Sequence, residues 1–305
     1  MSKNIIYGLH IDKGIRPIHI AIEEDIKHIK KICGVCDVVQ FFVVGPQNLH
    51  PTIHPDEYDD VKKISVMKII HGAYVGAPWN NAPGSLHCIH MEMEIAMSIG
   101  AAGIIVHLGK NTISNLGVIN RFIPGKVGVG GIPRTFPVIY LEINSTKPGP
   151  NSFETPAKLR ALFAAAALTV KREITLGLVI DTAHLYACGI NIADSRVVDK
   201  WIAEITSVIK EYKIPVILHL NDCKTPLGCG KDIHAYIGAG LIWRSDTKTL
   251  GMFIEFAKKN NCPIILERSG YDRRARPQLR QRQQPDAFFE SICGDIHEIC
   301  DSVAE

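Results

Sequence analysis

The chain has no apolar run near the roughly 20 residues that a membrane span requires. Its most apolar helical stretch, Ala161 to Val170, is bounded by Arg160 and Lys171. No charged segment leading into an apolar core opens it, so a secretory leader is not expected. Nine cysteines, odd in number and irregular in spacing, argue against a disulfide framework and for the reducing interior of a cell, cytoplasm or nucleus. Cys33-x-x-Cys36 lacks the second CxxC of a zinc ribbon, and Ile-Cys-Gly-Val-Cys reads as the end of a helix entering a strand. Cys223 and Cys229 match no ligand spacing. A large excess of one charge is lacking as well: 34 basic against 31 acidic residues leave a net +3, which permits a polyanionic partner but is no nucleic-acid footprint by itself. With 46% hydrophobic and 21% charged residues, nothing in the composition prevents a compact fold.

What the chain does have is rhythm. Short apolar, β-branched runs predict eight strands, at Ile5–Ile11, Val38–Val44, Val66–His71, Gly103–His107, Pro137–Glu142, Leu178–Asp181, Val216–Asn221 and Pro263–Glu267. Their near-continuous hydrophobicity suits parallel strands buried on both faces. Helical spacing appears between them at Ile18–Ile32, Leu86–Ile99, Thr155–Thr169, Asp194–Tyr212 and Thr247–Lys259. This alternation predicts an α/β fold, a (β/α)8 TIM barrel, as a single domain over residues 1–270. Lys110 to Arg134, rich in glycine, is expected as a long loop after the fourth strand. Residues 271–305 form an Arg-rich segment and, from Asp286 to Val303, a helical pattern packed on the barrel or extending from it.

Nine side chains of metal-ligating type stand at or near the strand ends: His71, His107, Glu142, Asp181, His184, His219, Asp232, His234 and Glu267. Any one histidine alone is more often a hydrogen-bonded core or surface residue. Barrel active sites, however, lie at the C-terminal ends of the strands, where chain order becomes a ring. Asp181 and His184 can enter one mouth as the chain turns, and Asp232 and His234, two apart in an extended loop, project to the same side. A glutamate ending an apolar strand is costly without a partner, and a cation is an effective one. Five imidazoles with four carboxylates suit Zn²⁺ or Mn²⁺ better than Ca²⁺ or Mg²⁺. His10, near the end of the first strand, can face the same mouth, whereas His19, His28, His50, His54, His87, His90 and His297 carry no partner motif.

These residues stand in segments that resemble the endonuclease IV family of apurinic/apyrimidinic (AP) endonucleases. They are His71-Gly-Ala-Tyr74, Val-His107-Leu-Gly, Leu-Glu142, Ile-Asp181-Thr-Ala-His184, His219-Leu-Asn-Asp-Cys-Lys224, Asp232-Ile-His234 and Leu-Glu267. The resemblance runs from about Ile6 to Gly270, and the wording of His71 to Trp79 looks more like members from large DNA viruses. It implies three Zn²⁺ ions per chain, with Mn²⁺ substitution allowed. His71, His107 and Glu142 would hold the first, Glu142, Asp181, His219 and Glu267 the second, and His184, Asp232 and His234 the third. Glu142, Glu267 and Asp181 would be the carboxylates at the reacting centre. The implied reaction is hydrolysis 5′ to an abasic site in double-stranded DNA, leaving a 3′-hydroxyl and a 5′-deoxyribose phosphate, with 3′-repair diesterase activity as a companion. No membrane and no obligate protein partner is implied; for a viral member the place of action would be the host cell, and the virion as well.

DNA contacts are expected from His10, Gln40, Gln47, Tyr74, Val75, Arg273, Arg274 and Arg276. Gln47 stands where many members of the family place an arginine that enters the DNA stack, Ile233 replaces the arginine of Asp-Arg-His, and Ala239 replaces a glutamate found just beyond. The arginines of Tyr271–Gln284 form either a solvated face or phosphate contacts that compensate. Two rival readings share the scaffold. A sugar isomerase or epimerase of the xylose-isomerase-like superfamily uses one or two metals and has no need of His184 with Asp232 and His234. A DNA-binding protein that had lost catalysis would not need a full ligand set.

Overall fold

The structure is a computed structural model that describes residues 5–47, 49–80, 82–122 and 136–267, with backbone alone for Ile32, Cys33 and Asn80. Eight strands close a parallel barrel: β1 (Tyr7–His10), β2 (Val38–Phe41), β3 (Met67–His71), β4 (Gly103–His107), β5 (Val138–Glu142), β6 (Leu176–Asp181), β7 (Val216–His219) and β10 (Ile264–Leu266). Between β7 and β10 the chain adds a small antiparallel hairpin, β8 (Asp222–Cys223) with β9 (His234–Ala235). The helices are α1 (Ile18–Cys33), α2 (Tyr58–Lys63), α3 (Pro83–Ser98), α4 (Pro156–Thr169), α5 (Thr182–Ala187), α6 (Ser195–Tyr212) and α7 (Lys248–Asn260).

The side-chain period of two along each strand separates two cores. One set packs outward against the helices, as Leu9, Phe41, Ile70, Leu141, Ile180 and Leu218 do against the buried faces of α1, α3, α4, α6 and α7. The other set, Val38, Ile69, Ile105, Tyr140, Val179, Ile217 and Ile265, fills the barrel. Tyr140 is the one aromatic in that plug, and the two flanking strands make room for it: a Cβ at Gly103 or Gly177 would run into its ring. β1 contributes Gly8, where a Cβ would strike the Val38 carbonyl.

Local signals explain the helix ends. Thr155 caps α4 with Pro156 in its first turn, and the Asp194 carboxylate accepts from Arg196 N–H at 2.9 Å to open α6. α1 closes on Gly34 in the left-handed region (φ 79°), so Cys33-Gly34-Val35-Cys36 is the turn from helix into β2. Cys36 is buried, and that burial pushes its thiol up to about 12, which suits a packing residue; the Cys33 side chain lies outside the described residues. The expected loop after β4 is helical in part. Ile113–Arg121 is a 3-10 segment that buries Leu116 and Ile119 against α4, while the glycines at 125, 128, 130 and 131 lie outside the described residues. So do residues 271–305, with Arg273, Arg274, Arg276 and the helical pattern of 286–303.

Candidate metal centre

The barrel plug and the site are one pattern read two residues further on. Gly8, Val38, Ile69, Ile105, Tyr140, Val179, Ile217 and Ile265 are each followed, at the next inward position, by His10, Gln40, His71, His107, Glu142, Asp181, His219 and Glu267. Parallel registers align the polar residues around the mouth, pairing His107 with Glu142 and Asp181 with His219. The ring is therefore polar at the C-terminal end of every strand, directly above an apolar floor.

Three groups of ligand-type atoms converge there: His71 with His107 and Glu142; Glu142 with Asp181, His219 and Glu267; and Asp181 with His184 and His234. Glu142 spans the first two. Its Oε2 lies 3.3 Å from His71 Nε2 and 2.7 Å from His107 Nε2, and its Oε1 lies 3.0 Å from His219 Nδ1. Glu267 Oε2 completes the second group at 3.0 Å from His219 Nδ1. In the third, Asp232 bridges the imidazoles, 3.3 Å from His184 Nε2 and 2.8 Å from His234 Nε2, while Asp181 Oδ2 is 3.7 Å from His234 Nε2. Asp181 thus faces two groups rather than one.

Elements deliver these side chains in different ways. Asp181 ends β6 and also caps α5, its Oδ1 accepting from His184 N–H at 2.9 Å, so one helical turn brings the residue three positions on into the mouth. Asp232 and His234 arrive on the β8–β9 hairpin. That hairpin and the loop beyond it are held by the buried Asp222 carboxylate, which accepts from the backbone N–H groups of Cys223, Gly238, Gly240 and Ile242.

The histidine tautomers are fixed by what lies behind them. Nδ1 of His71, His184 and His234 each faces a backbone carbonyl, of Gly72 (2.9 Å), Ile143 (2.6 Å) and Glu267 (2.7 Å). A carbonyl only accepts, so Nδ1 carries the proton and Nε2 is left for the site. His219 is reversed: Nε2–H donates to Gln40 Oε1 at 2.9 Å and Nδ1 points inward. The other end of the Gln40 amide is used as well, since its Nε2 donates to Glu267 Oε1 and meets His10 Nδ1 at 3.0 Å.

The electrostatics call for positive charge. Burial would push Glu142 up, yet His107 and His219 hold it well below the usual carboxylate range; His219 does the same for the buried Glu267, and His234 with His184 for Asp232. Burial outweighs the neighbouring histidines at Asp181, whose carboxyl is raised. His184 and His219 are driven well above their ordinary value by these carboxylates despite burial. The fit to a cation shows in the orphaned atoms: His107 Nε2, Glu142 Oε2 and His234 Nε2 are buried without a hydrogen-bond partner, although the first two are 2.7 Å apart. Mixed imidazole and carboxylate donors with their far sides hydrogen-bonded are a zinc-type set.

Around the mouth, Tyr74 and Val75 are half-exposed, and the Tyr74 ring packs beside His71 and His107 at 5.4 and 5.1 Å between centroids. Tyr74 N–H donates to the Pro46 carbonyl, so exposed Gln47 belongs to the same rim; Ile233 is also exposed. His10 sits just inside, its Nδ1 3.9 Å from Glu267 Oε1. Gln40, expected as a DNA contact, is fully buried beneath the histidines, with both ends of its amide engaged by His219, Glu267 and His10. Sequence reasoning gave no role to Asn221, whose Nδ2 donates to Asp181 at 2.7 Å and whose Oδ1 accepts from Glu267 N–H at 3.0 Å. The period of two from His219 was the available signal.

Comparison with known proteins follows the same line. A protein named probable AP endonuclease from African swine fever virus is 30% identical over 247 residues, covering 75% of this chain and 78% of the relative. Among solved structures, one described as AsfvAP:AG superposes with a TM-score of 0.79 at 24% identity, covering 98% of this chain and 99% of the other. Endonuclease IV from Thermus thermophilus gives 0.68 at 20% identity, with 96% and 99% covered. No family model matches the chain.

Proposed function

Because the chain belongs to the endonuclease IV family of AP endonucleases, and so is a DNA-repair nuclease that hydrolyses phosphodiester bonds, we propose that it is zinc-dependent and cuts 5′ to abasic sites in duplex DNA. The observation that carries this reading is the convergence of three ligand groups on one mouth, with Glu142 and Asp181 each belonging to two of them. His71, His107 and Glu142 would hold one ion, Glu142, Asp181, His219 and Glu267 a second, and His184, Asp232 and His234, with Asp181 alongside, a third. Zinc held there would supply charge neutralisation for the phosphate and would lower the pKa of water toward neutrality.

The chain's own residues do the rest. Glu142 and Glu267 are held ionised by their histidines, so they stay available as ligands or proton acceptors above an apolar floor of Ile69, Ile105 and Ile265. Gln40 and Asn221 keep His219, Glu267 and Asp181 oriented. An abasic sugar has already lost its stacking and pairing, so its extrusion toward the Tyr74–Val75 rim costs less than flipping an intact nucleotide. Phosphate contacts from Arg273, Arg274 and Arg276 would supply affinity without sequence preference. The viral relatives support action inside a host cell; among the described residues no helix is long and apolar enough to cross a membrane.

A sugar isomerase needs one or two ions, which leaves the His184–Asp232–His234 cluster without a purpose. The test is a duplex with a single abasic site, with and without a chelator. The proposal expects a nick whose 3′ end a polymerase extends directly, lost with the chelator and restored by zinc. Cleavage indifferent to chelation, or a 3′ end that cannot be extended, would refute it.

A further inference from the structure

We propose that Glu92, which touches no ligand in the three groups, is a positioning residue for His71 and acts through the peptide bond between Gly72 and Ala73. Glu92 lies on α3, 1% exposed, on a helix face with Cys88, Ile89 and Met93. Burying a carboxyl there is costly, and its Oε1 accepts a hydrogen bond from Ala73 N–H at 2.8 Å. The same amide presents its other end to the site: the Gly72 carbonyl accepts from His71 Nδ1 at 2.9 Å. Carboxylate, amide and imidazole therefore form one line, Glu92 to N–H, C=O to H–Nδ1, ending at His71 Nε2, which is 3.3 Å from Glu142 Oε2.

Negative charge at the N–H end polarises the amide and makes its carbonyl a stronger acceptor. The proton is then held on Nδ1, and Nε2 becomes the more basic, inward-facing nitrogen. The amide is itself pinned. Gly72 N–H donates to the Ile105 carbonyl at 2.9 Å, and a Cβ on Gly72 would lie 2.5 Å from that carbonyl oxygen and 3.4 Å from Glu92 Oε2. Only glycine lets α3 and β4 close on this peptide from two sides. Burial pushes the Glu92 carboxyl up to about 7, so an assay at pH 8 examines the charged form.

The inference rests on the zinc reading above, and two variants with two readouts separate them. Glu92→Gln keeps an oxygen for Ala73 N–H; Glu92→Leu removes it. At pH 8, zinc retention against a competing chelator is counted by emission spectroscopy, and the His71 tautomer is read from imidazole ¹⁵N shifts. The expected result is that Glu92→Leu weakens one zinc by about 10- to 100-fold and mixes the His71 tautomers, while Glu92→Gln, which keeps the acceptor but not the charge, holds the Nδ1–H tautomer and loses distinctly less zinc affinity than Glu92→Leu. Wild-type retention and tautomer in Glu92→Leu, or a Leu-like loss in Glu92→Gln, would overturn the proposal. Should the Leu variant not fold, Glu92→Gln decides alone. Loss of the charge should move the Ala73 amide proton and the His71 Nδ1 proton upfield together, and an unmoved His71 proton overturns the relay. If the wild-type chain binds no zinc, the zinc reading fails, while the Ala73 amide and His71 Nδ1 proton shifts in Glu92→Gln still test the relay.

Discussion

Stripping the metal should make the stability of this protein fall as the solution becomes more alkaline, across a window where most proteins are indifferent. His234 is the clearest contributor. Burial opposes its protonation, but Asp232, at 2.8 Å, and Asp181, at 3.7 Å, outweigh burial and push it up to about 9 from 6.5. A raised histidine gives stability that is complete below the unfolded value and disappears as pH rises through the folded one. The gap of about 2.5 units, at about 1.36 kcal/mol each, makes roughly 3 kcal/mol lost between pH 6.5 and 9. His184 and His219 are raised for the same reason and add with the same sign. The carboxylates held low, Glu142, Glu267 and Asp232, lose their contribution only in acid, outside the window. The assay is urea unfolding of chelator-treated protein at half-unit pH steps, where about 3 kcal/mol corresponds to a midpoint shift on the order of 1 M. Zinc should remove the decline, because coordinated imidazoles no longer take up protons and metal binding strengthens as they deprotonate. Stability of the stripped protein that stays level or rises from pH 6.5 to 9 would refute the reasoning.

Other expectations are simpler to state. Gln40→Leu leaves the barrel closed but takes the acceptor from His219 Nε2, so zinc affinity and kcat should fall by about 10- to 100-fold with little change in KM; an unchanged kcat would contradict that role. Gly8→Ala places a methyl against the Val38 carbonyl at the seam between β1 and β2, and should destabilise by about 2 kcal/mol or more in a melting experiment; a shift near zero would mean the barrel is looser at that seam. Replacing Arg273, Arg274 and Arg276 together by alanine should weaken binding to duplexes of any sequence and reduce the salt slope by about 0.9 per lost phosphate contact. An unaltered slope would assign those arginines to a solvated face.

The fold was legible because buried parallel strands are written as apolar runs, and each of the eight lies within the stretch read for it or, at β6, begins two residues earlier. The convergence of these side chains on one mouth was legible from the ensemble rather than from any one of them: several polar residues each end an apolar run, and a barrel brings such ends together. Less was readable where local sequence carries no period. α5 is one helical turn nucleated by the Asp181 cap, and six residues are too few for an apolar stripe. The β8–β9 hairpin is two residues per strand, organised by the buried carboxylate of Asp222, within β8, and the backbone N–H groups it gathers from as far on as Ile242, rather than by β-propensity. Gln40 looked like a polar residue available to a ligand, but its strand end lies inside the ring of imidazoles, and only the closed barrel reveals that. Glu92 was invisible in the same way, an ordinary glutamate on a helix until α3 is laid against the peptide that follows His71.

That these nine side chains bind zinc as one reaction centre is tested most directly by titrating zinc into the stripped chain while following cleavage of a duplex with one abasic site. Activity should be absent without metal and become complete only as bound zinc, counted by emission spectroscopy, approaches three per chain. Full activity with a single ion bound, or with none, would contradict it.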